Sequence, residues 1–300
     1  MIPAIKNDQL TSQKQSNKKL IRFFQFPLLR IIQAILFIIP VFLLNNIFVI
    51  FVLEKSSDPW LSFLQIAKTL VLIPLLIISY GKYTKTIENR SALEFNRNGW
   101  VKEILWGMAI GSGMVILITA ILFISGAYSV ESINSPFLLI NRFFRYAQGS
   151  FVEDLLFTII FFRLLEEFTG TTIAYICVTL LFGGLHAMND NATLQTSLFI
   201  SVQQITLLGP FILTRRMWMG WAVHFSWNFF QAGVFGMANS GMDQGGFITP
   251  LISGPEWLTG GFFGIEASWL SLFINLMVGL PILIYAVKMD QWKKLKKHSI

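Results

Sequence analysis

Long apolar runs broken by short polar segments dominate the chain. A helix needs about 20 apolar residues to cross the hydrocarbon core of a bilayer. Eight stretches meet that length: 31–53, 61–80, 104–126, 147–167, 171–189, 194–213, 217–237 and 268–287. Gly170 and two threonines separate the fourth from the fifth. The pattern predicts an all-α polytopic membrane bundle of about eight transmembrane helices.

The loops assign the sides. Loop 81–103 carries Lys82, Lys85, Arg90, Arg97 and Lys102, and the turn after the sixth span carries Arg215 and Arg216. Both belong in the cytoplasm under the positive-inside bias. Loop 54–60 has one Lys and two acids, and loop 238–267 has no Lys or Arg, so these belong outside. The N-terminal segment holds Lys6, Lys14, Lys18, Lys19, Arg22 and Arg30, and the tail holds Lys288, Lys293, Lys294, Lys296 and Lys297. Both termini are therefore expected in the cytoplasm of a multi-pass cell-membrane protein, which requires an even number of spans. Trp60, Trp100, Trp218, Trp221 and Trp257 fall near span ends, where an interfacial belt would put them. Gly107 and Gly111 form a GxxxG, a signal for close helix packing. Pro40, Pro74 and Pro281 fall inside spans, where neighbouring helices satisfy the freed backbone groups.

Composition agrees. Of 300 residues, 54% are hydrophobic and 13% charged, against about a quarter charged in soluble domains. The net charge of +7 sits at the termini and in one loop, with no basic groove of interleaved aromatics, so nucleic acid is not expected as a partner. The single cysteine, Cys177, excludes an intrachain disulfide and reads as a small packing residue.

Ionisable residues within spans are costly and mark function by default. Fourteen of the 16 acids fall in loops, tails or span ends; the exceptions are the neighbours Glu153 and Asp154. Of three histidines, His298 is in the tail, His186 near the end of the fifth span and His224 within the seventh. Asn228 follows His224 by one helical turn on the same face. Lys68 in the second span can snorkel or pair locally. A carboxylate, two imidazoles and a carboxamide suit the activation of water. A carboxylate in low dielectric gains proton affinity and can act as general base. The histidines can stabilise an oxyanion or ligate a divalent metal such as zinc. His186, His224 and Asn228, or a carboxylate, would meet a catalytic zinc's three-ligand count, although no HExxH is present.

At these residues the chain resembles the CAAX-protease and bacteriocin-processing (CPBP, or Abi) family of intramembrane peptidases. The family motif Glu-Glu-x-x-x-Arg is matched by Glu153-Asp154-Leu155-Leu156-Phe157-Thr158, Phe-x-x-x-His by Phe182 to His186, and His-x-x-x-Asn by His224 to Asn228. The stretches Leu164 to Thr171 and Gly254 to Gly261 also look like the family. The resemblance covers about residues 145–275. It implies an endopeptidase acting on a peptide or lipid-modified peptide in the bilayer, with Glu153 activating water and His186 assisting. His224 and Asn228 would line the oxyanion site or hold a metal. The implied organisation is a basic tail (1–30), N-terminal helices (31–130), a protease core (131–287) and a second basic tail (288–300).

Asp154 and Thr158 depart from the first motif. Asp keeps the charge on a shorter arm, and Thr removes the cation. Arg163, ten residues on, stands roughly 15 Å along the helix and is not expected to substitute. Two adjacent acids without that cation are expected to raise the proton affinity of Glu153. A non-catalytic immunity or scaffold protein of the same fold is therefore the alternative. A proton-coupled transporter lacks the paired broken helices and repeats it would need. Hydropathy also leaves the groups uneven in depth, with Glu153 and His186 toward the outer side and His224 early in a span starting inside.

Overall fold

A computed structural model describes residues 26–53, 55 and 60–295. The basic N-terminal cluster up to residue 25, most of the loop at 54–59 and the tail beyond 295 lie outside the described residues. Helix α1 (Pro27–Phe48) runs on as a π-helix, Val49–Leu53, and is followed by α2 (Trp60–Ile87) and α3 (Trp100–Ile124). Strand β1 (Tyr128–Ile133) precedes α4 (Phe137–Asp154), which continues through a π-helical stretch, Leu155–Phe162, into α5 (Arg163–His186). Then come α6 (Leu194–Gln203), α7 (Ile205–Thr214) and α8 (Trp218–Asn228), the last extended by a π-helix, Phe229–Val234. Strand β2 (Ile248–Ile252), a short α9 (Glu256–Thr259) and α10 (Trp269–Lys288) complete the chain.

Among the described residues, six helices are long and apolar enough to cross a membrane. The fourth of these, Phe137–His186, holds two predicted spans: the backbone breaks at Gly170, whose φ of 76° and ψ of 170° no helix accommodates. The predicted seventh span is α8 with its π extension, Trp218–Val234. Local chemistry sets several ends. Pro27 opens α1, where its missing N–H costs nothing. Thr193 and Ser268 cap α6 and α10 by accepting from the backbone N–H of Thr196 and Ser271.

An ion-pair network closes one face of the bundle. Arg163 reaches Glu88 at 2.8 Å, Glu94 at 3.2 Å and Glu167 at 2.7 Å. Arg30, at the start of α1, binds Glu88 and Glu167, each at 2.5 Å. Arg90 binds Glu88 and Glu94. Glu166 takes Arg215 at 2.6 Å and Lys293, beyond α10, at 2.9 Å. Burial alone would raise the Glu88 carboxyl, but Arg163 and Arg30 outweigh it and hold it down at about 2. Because Arg30 and Lys293 meet the adjacent Glu167 and Glu166, the first helix starts and the last one ends on the same face.

Segment 88–99 is a loop, as its charges imply, but it turns Glu94 and Phe95 inward, and Phe95 stacks on Phe151. Two other expectations need correction. Trp218 and Trp221 are not belt residues, since they donate to the carbonyls of Asn96 and Ala147 inside the bundle. Cys177 is exposed on the outer side of α5 instead of packed. Opposite the ionic face, β1 and β2 pair antiparallel with a bulge between Val130 and Ser132, a pairing that helix-length hydropathy windows do not detect.

Candidate active site

Helix α8 carries two of the candidate groups and is clamped from behind by α3. A Cβ on Gly107 would stand 2.5 Å from the Met219 carbonyl oxygen and 2.7 Å from the Ala222 Cβ. One on Gly111 would collide with Ser226 Oγ and the Val223 carbonyl. The GxxxG thus lets two backbones touch, leaving His224 and Asn228 to face away from α3. Gly183, within the second motif, does the same for α5 against α6, where Ser197 and Ser201 leave no room for a side chain.

The depths resolve through Gly170. Glu153 lies 17 residues before this break and His186 16 after it. At about 1.5 Å per residue both stand about 25 Å from it. Phe157 and Phe182, one turn away from each toward the break, meet edge to face at 4.9 Å. His224 joins them because α8 starts within the bundle. Met217 N–H donates to the Glu94 carbonyl and Trp218 Nε1 to that of Asn96, so loop 88–99 supplies the floor from which α8 rises.

Glu153, His186, His224 and Asn228 line one cavity of about 360 Å³. His224 sits between the two acids of the first motif. Its Nδ1 is 3.2 Å from Asp154 Oδ1 and its Nε2 3.6 Å from Glu153 Oε2. An imidazole from another helix therefore stands between the two acids. Thr158 is buried in the π-helical stretch and makes no such contact; Asp154 Oδ2 is buried without a hydrogen-bond partner. The π-helix begins directly after Asp154, and such bulges recur at functional sites. Arg163 is consumed by the ionic face, as its distance along the helix predicts.

His186 Nδ1 lies 2.8 Å from the Phe182 carbonyl oxygen, and the Phe182 ring packs on the imidazole at 4.4 Å. A carbonyl only accepts, so Nδ1 carries the hydrogen; in the neutral tautomer this selects, Nε2 has the lone pair. Asn228 donates to Ser150 Oγ at 3.3 Å and accepts from Asn239 Nδ2 at 3.1 Å.

One residue escaped the sequence reading. Glu266, counted among the loop acids, is 6% exposed and lines the same cavity. Its Oε1 accepts from Asn239 Nδ2 at 2.9 Å, and its Oε2 faces the backbone N–H of Ser240 at 2.8 Å and Ser240 Oγ at 3.1 Å. Burial raises its proton affinity, opposed by His186 and the Ser240 donors. The signal was present in its neighbours: Phe262, Phe263 and Ile265 are poor company for a solvated loop acid.

Both ring nitrogens of His224 face carboxylates, and the Asn228 oxygen is taken by Asn239. Among the described residues no three His, Cys, Asp or Glu side chains are grouped to hold a metal ion.

Residues 134–230, which contain all four candidate groups, match the family model described as type II CAAX prenyl endopeptidase Rce1-like. No curated protein and no solved structure matches the chain.

Proposed function

We propose that the chain, whose residues 134–230 match the type II CAAX prenyl endopeptidase Rce1-like model, is an intramembrane endopeptidase of the CAAX-protease and bacteriocin-processing family that hydrolyses a peptide or lipid-modified peptide with a water activated by Glu153. The observation that carries this reading is the convergence of Glu153, His186, His224 and Asn228 on one cavity from three separated stretches of chain. Glu153, which lines the cavity and has a 43% exposed side chain, takes a proton from water. The lone pair on His186 Nε2 holds that water's other hydrogen. As water adds to the carbonyl carbon, charge develops on the carbonyl oxygen. A protonated His224, anchored by Asp154 at Nδ1, and the Asn228 amide then stabilise that oxygen. Glu153 returns its proton to the leaving nitrogen. Both termini face the cytoplasm in this reading.

The test is cleavage of a prenylated CAAX reporter peptide by the protein in liposomes. Glu153→Ala and His186→Ala should each lower kcat by about 10²–10⁴ without loss of the folded protein, and cleavage should survive a zinc chelator. Equal turnover by wild type and both variants sinks the proposal. A second reading, a non-catalytic immunity or scaffold protein, is favoured by the partnerless Asp154 Oδ2 beside Thr158. It expects Glu153→Ala to leave the cellular phenotype intact.

A further inference from the structure

The cavity contains a carboxylate for which the hydrolysis above has no use. The side-chain hydrogen bonds of Glu266 go to Asn239 and Ser240. Asn239 in turn donates to Asn228. We propose that Glu266 is a positioning residue which, through Asn239, fixes which end of the Asn228 amide faces the reacting carbonyl.

The polarity of the chain of amides makes the case. A carboxamide presents an oxygen at one end and two N–H donors at the other, and nothing in its shape prefers either orientation. Glu266 Oε2 faces the Ser240 backbone N–H, which can only donate. Oε1 is then an acceptor for Asn239, which must offer its NH₂ group. The second hydrogen of that NH₂ meets the Asn228 oxygen at 3.1 Å. Asn228 is left with its own NH₂ turned toward Ser150, and the second hydrogen of that group is what an oxyanion would use. If Asn239 were reversed, Asn228 would reverse with it and present an oxygen to the oxyanion. Ser150 cannot set the direction, because a hydroxyl both donates and accepts. Protonation of Glu266 does not undo the device: a hydroxyl at Oε2 can donate a hydrogen bond to Ser240 Oγ, leaving Oε1 an acceptor.

The main chain at Glu266 is held separately from its carboxylate. Gln203 Nε2 donates to the Glu266 carbonyl at 2.7 Å. Gly264, with φ of 109°, lies directly against the Ala238 carbonyl. Truncation of the side chain therefore leaves the loop anchored.

The inference rests on the proposed role of Asn228 and is tested with the same prenylated reporter in liposomes. Glu266→Ala should lower kcat at least tenfold with KM within twofold, and Glu266→Asp, which keeps the acceptor, should restore part of the loss. In an Asn228→Ala background, Glu266→Ala should cost less than a further twofold. An equal loss in both backgrounds, or an unchanged kcat, overturns the inference. Where Glu266→Ala fails to fold, Asn239→Leu replaces it under the same criteria. Should wild type not cleave the reporter, the proposed function fails, and the positioning role is decided by the side-chain amides themselves. With ¹⁵N-asparagine labelling, and signals assigned by their loss in Asn228→Asp and Asn239→Asp, Glu266→Ala should shift both pairs. A shift confined to Asn239 overturns the relay.

Discussion

Substituting Gly107 tests whether the α3–α8 contact holds the candidate site in register. Its Cβ would stand 2.5 Å from the Met219 carbonyl oxygen, where ordinary contact begins at 3.4 Å. Gly107→Ala therefore obliges α8 to withdraw by about 0.9 Å, the difference between those distances. Both are backbone-anchored, so no flexible side chain can absorb the shift. Met219 and Ala222 flank the contact, and His224 lies half a turn beyond on the opposite side of α8. The displacement is thus delivered to the 3.2 Å and 3.6 Å contacts with Asp154 and Glu153. A misplacement of about 1 Å can cost about 10²-fold in rate, or about 2.7 kcal/mol of transition-state stabilisation. Overpacking should also lower stability by about 1–3 kcal/mol. The control is in the same helix: nothing lies within 4 Å of a Cβ on Gly113. Gly113→Ala should be neutral in rate and gain up to about 1 kcal/mol from helix propensity. Reporter cleavage and thermal midpoints of the two variants, measured side by side, give the comparison. If Gly107→Ala keeps more than a third of wild-type kcat/KM, close packing of these helices does not position the site.

Asp154→Asn keeps the shape but removes the charge that steadies a cationic His224, and should lower kcat by about 10²–10⁴ by analogy with other Asp–His pairs; a loss confined to KM would argue against that role. Glu88 makes stability acid-sensitive. Its folded carboxyl is held at about 2 against an ordinary 4.5, so the stabilisation is fully present above about 4.5 and disappears as pH falls toward 2. The difference corresponds to about 3 kcal/mol. Glu88→Gln should flatten the unfolding midpoint across that interval, and an unchanged acid limb would remove Glu88 as its cause.

Much of the architecture was legible because the bilayer demands length and apolarity, which hydropathy counts directly. The same demand made Glu153, Asp154, His186, His224 and Asn228 conspicuous, and the GxxxG pair correctly announced a close contact. What stayed hidden depends on where a polar segment folds. Segment 88–99 carries loop-like charges, yet those charges neutralise one another around Arg163, and that cancellation lets Phe95 enter the bundle. Cys177 and Trp218 show the converse: hydropathy gives the depth of a span residue, not whether it faces lipid or neighbours.

The first motif shows most clearly where linear reading stops. From the sequence, Thr158 in place of Arg leaves two adjacent acids without a cation, and the nearest arginine is too far along the helix. That inference holds for the helix on which it was made. It fails for the site, because the cation-capable group comes from another helix: Asp154 ends 3.2 Å from His224 Nδ1. Glu153 and Asp154 thus take opposite nitrogens of one imidazole, and a proton on that ring is held from both sides. The substitution still leaves a trace, since Asp154 Oδ2 remains buried with no partner. A polar group left unsatisfied in this way costs about 1–3 kcal/mol. Carrying that cost beside the cavity is reasonable if the orientation it secures for His224 is used in turnover, and Asp154→Asn measures that directly.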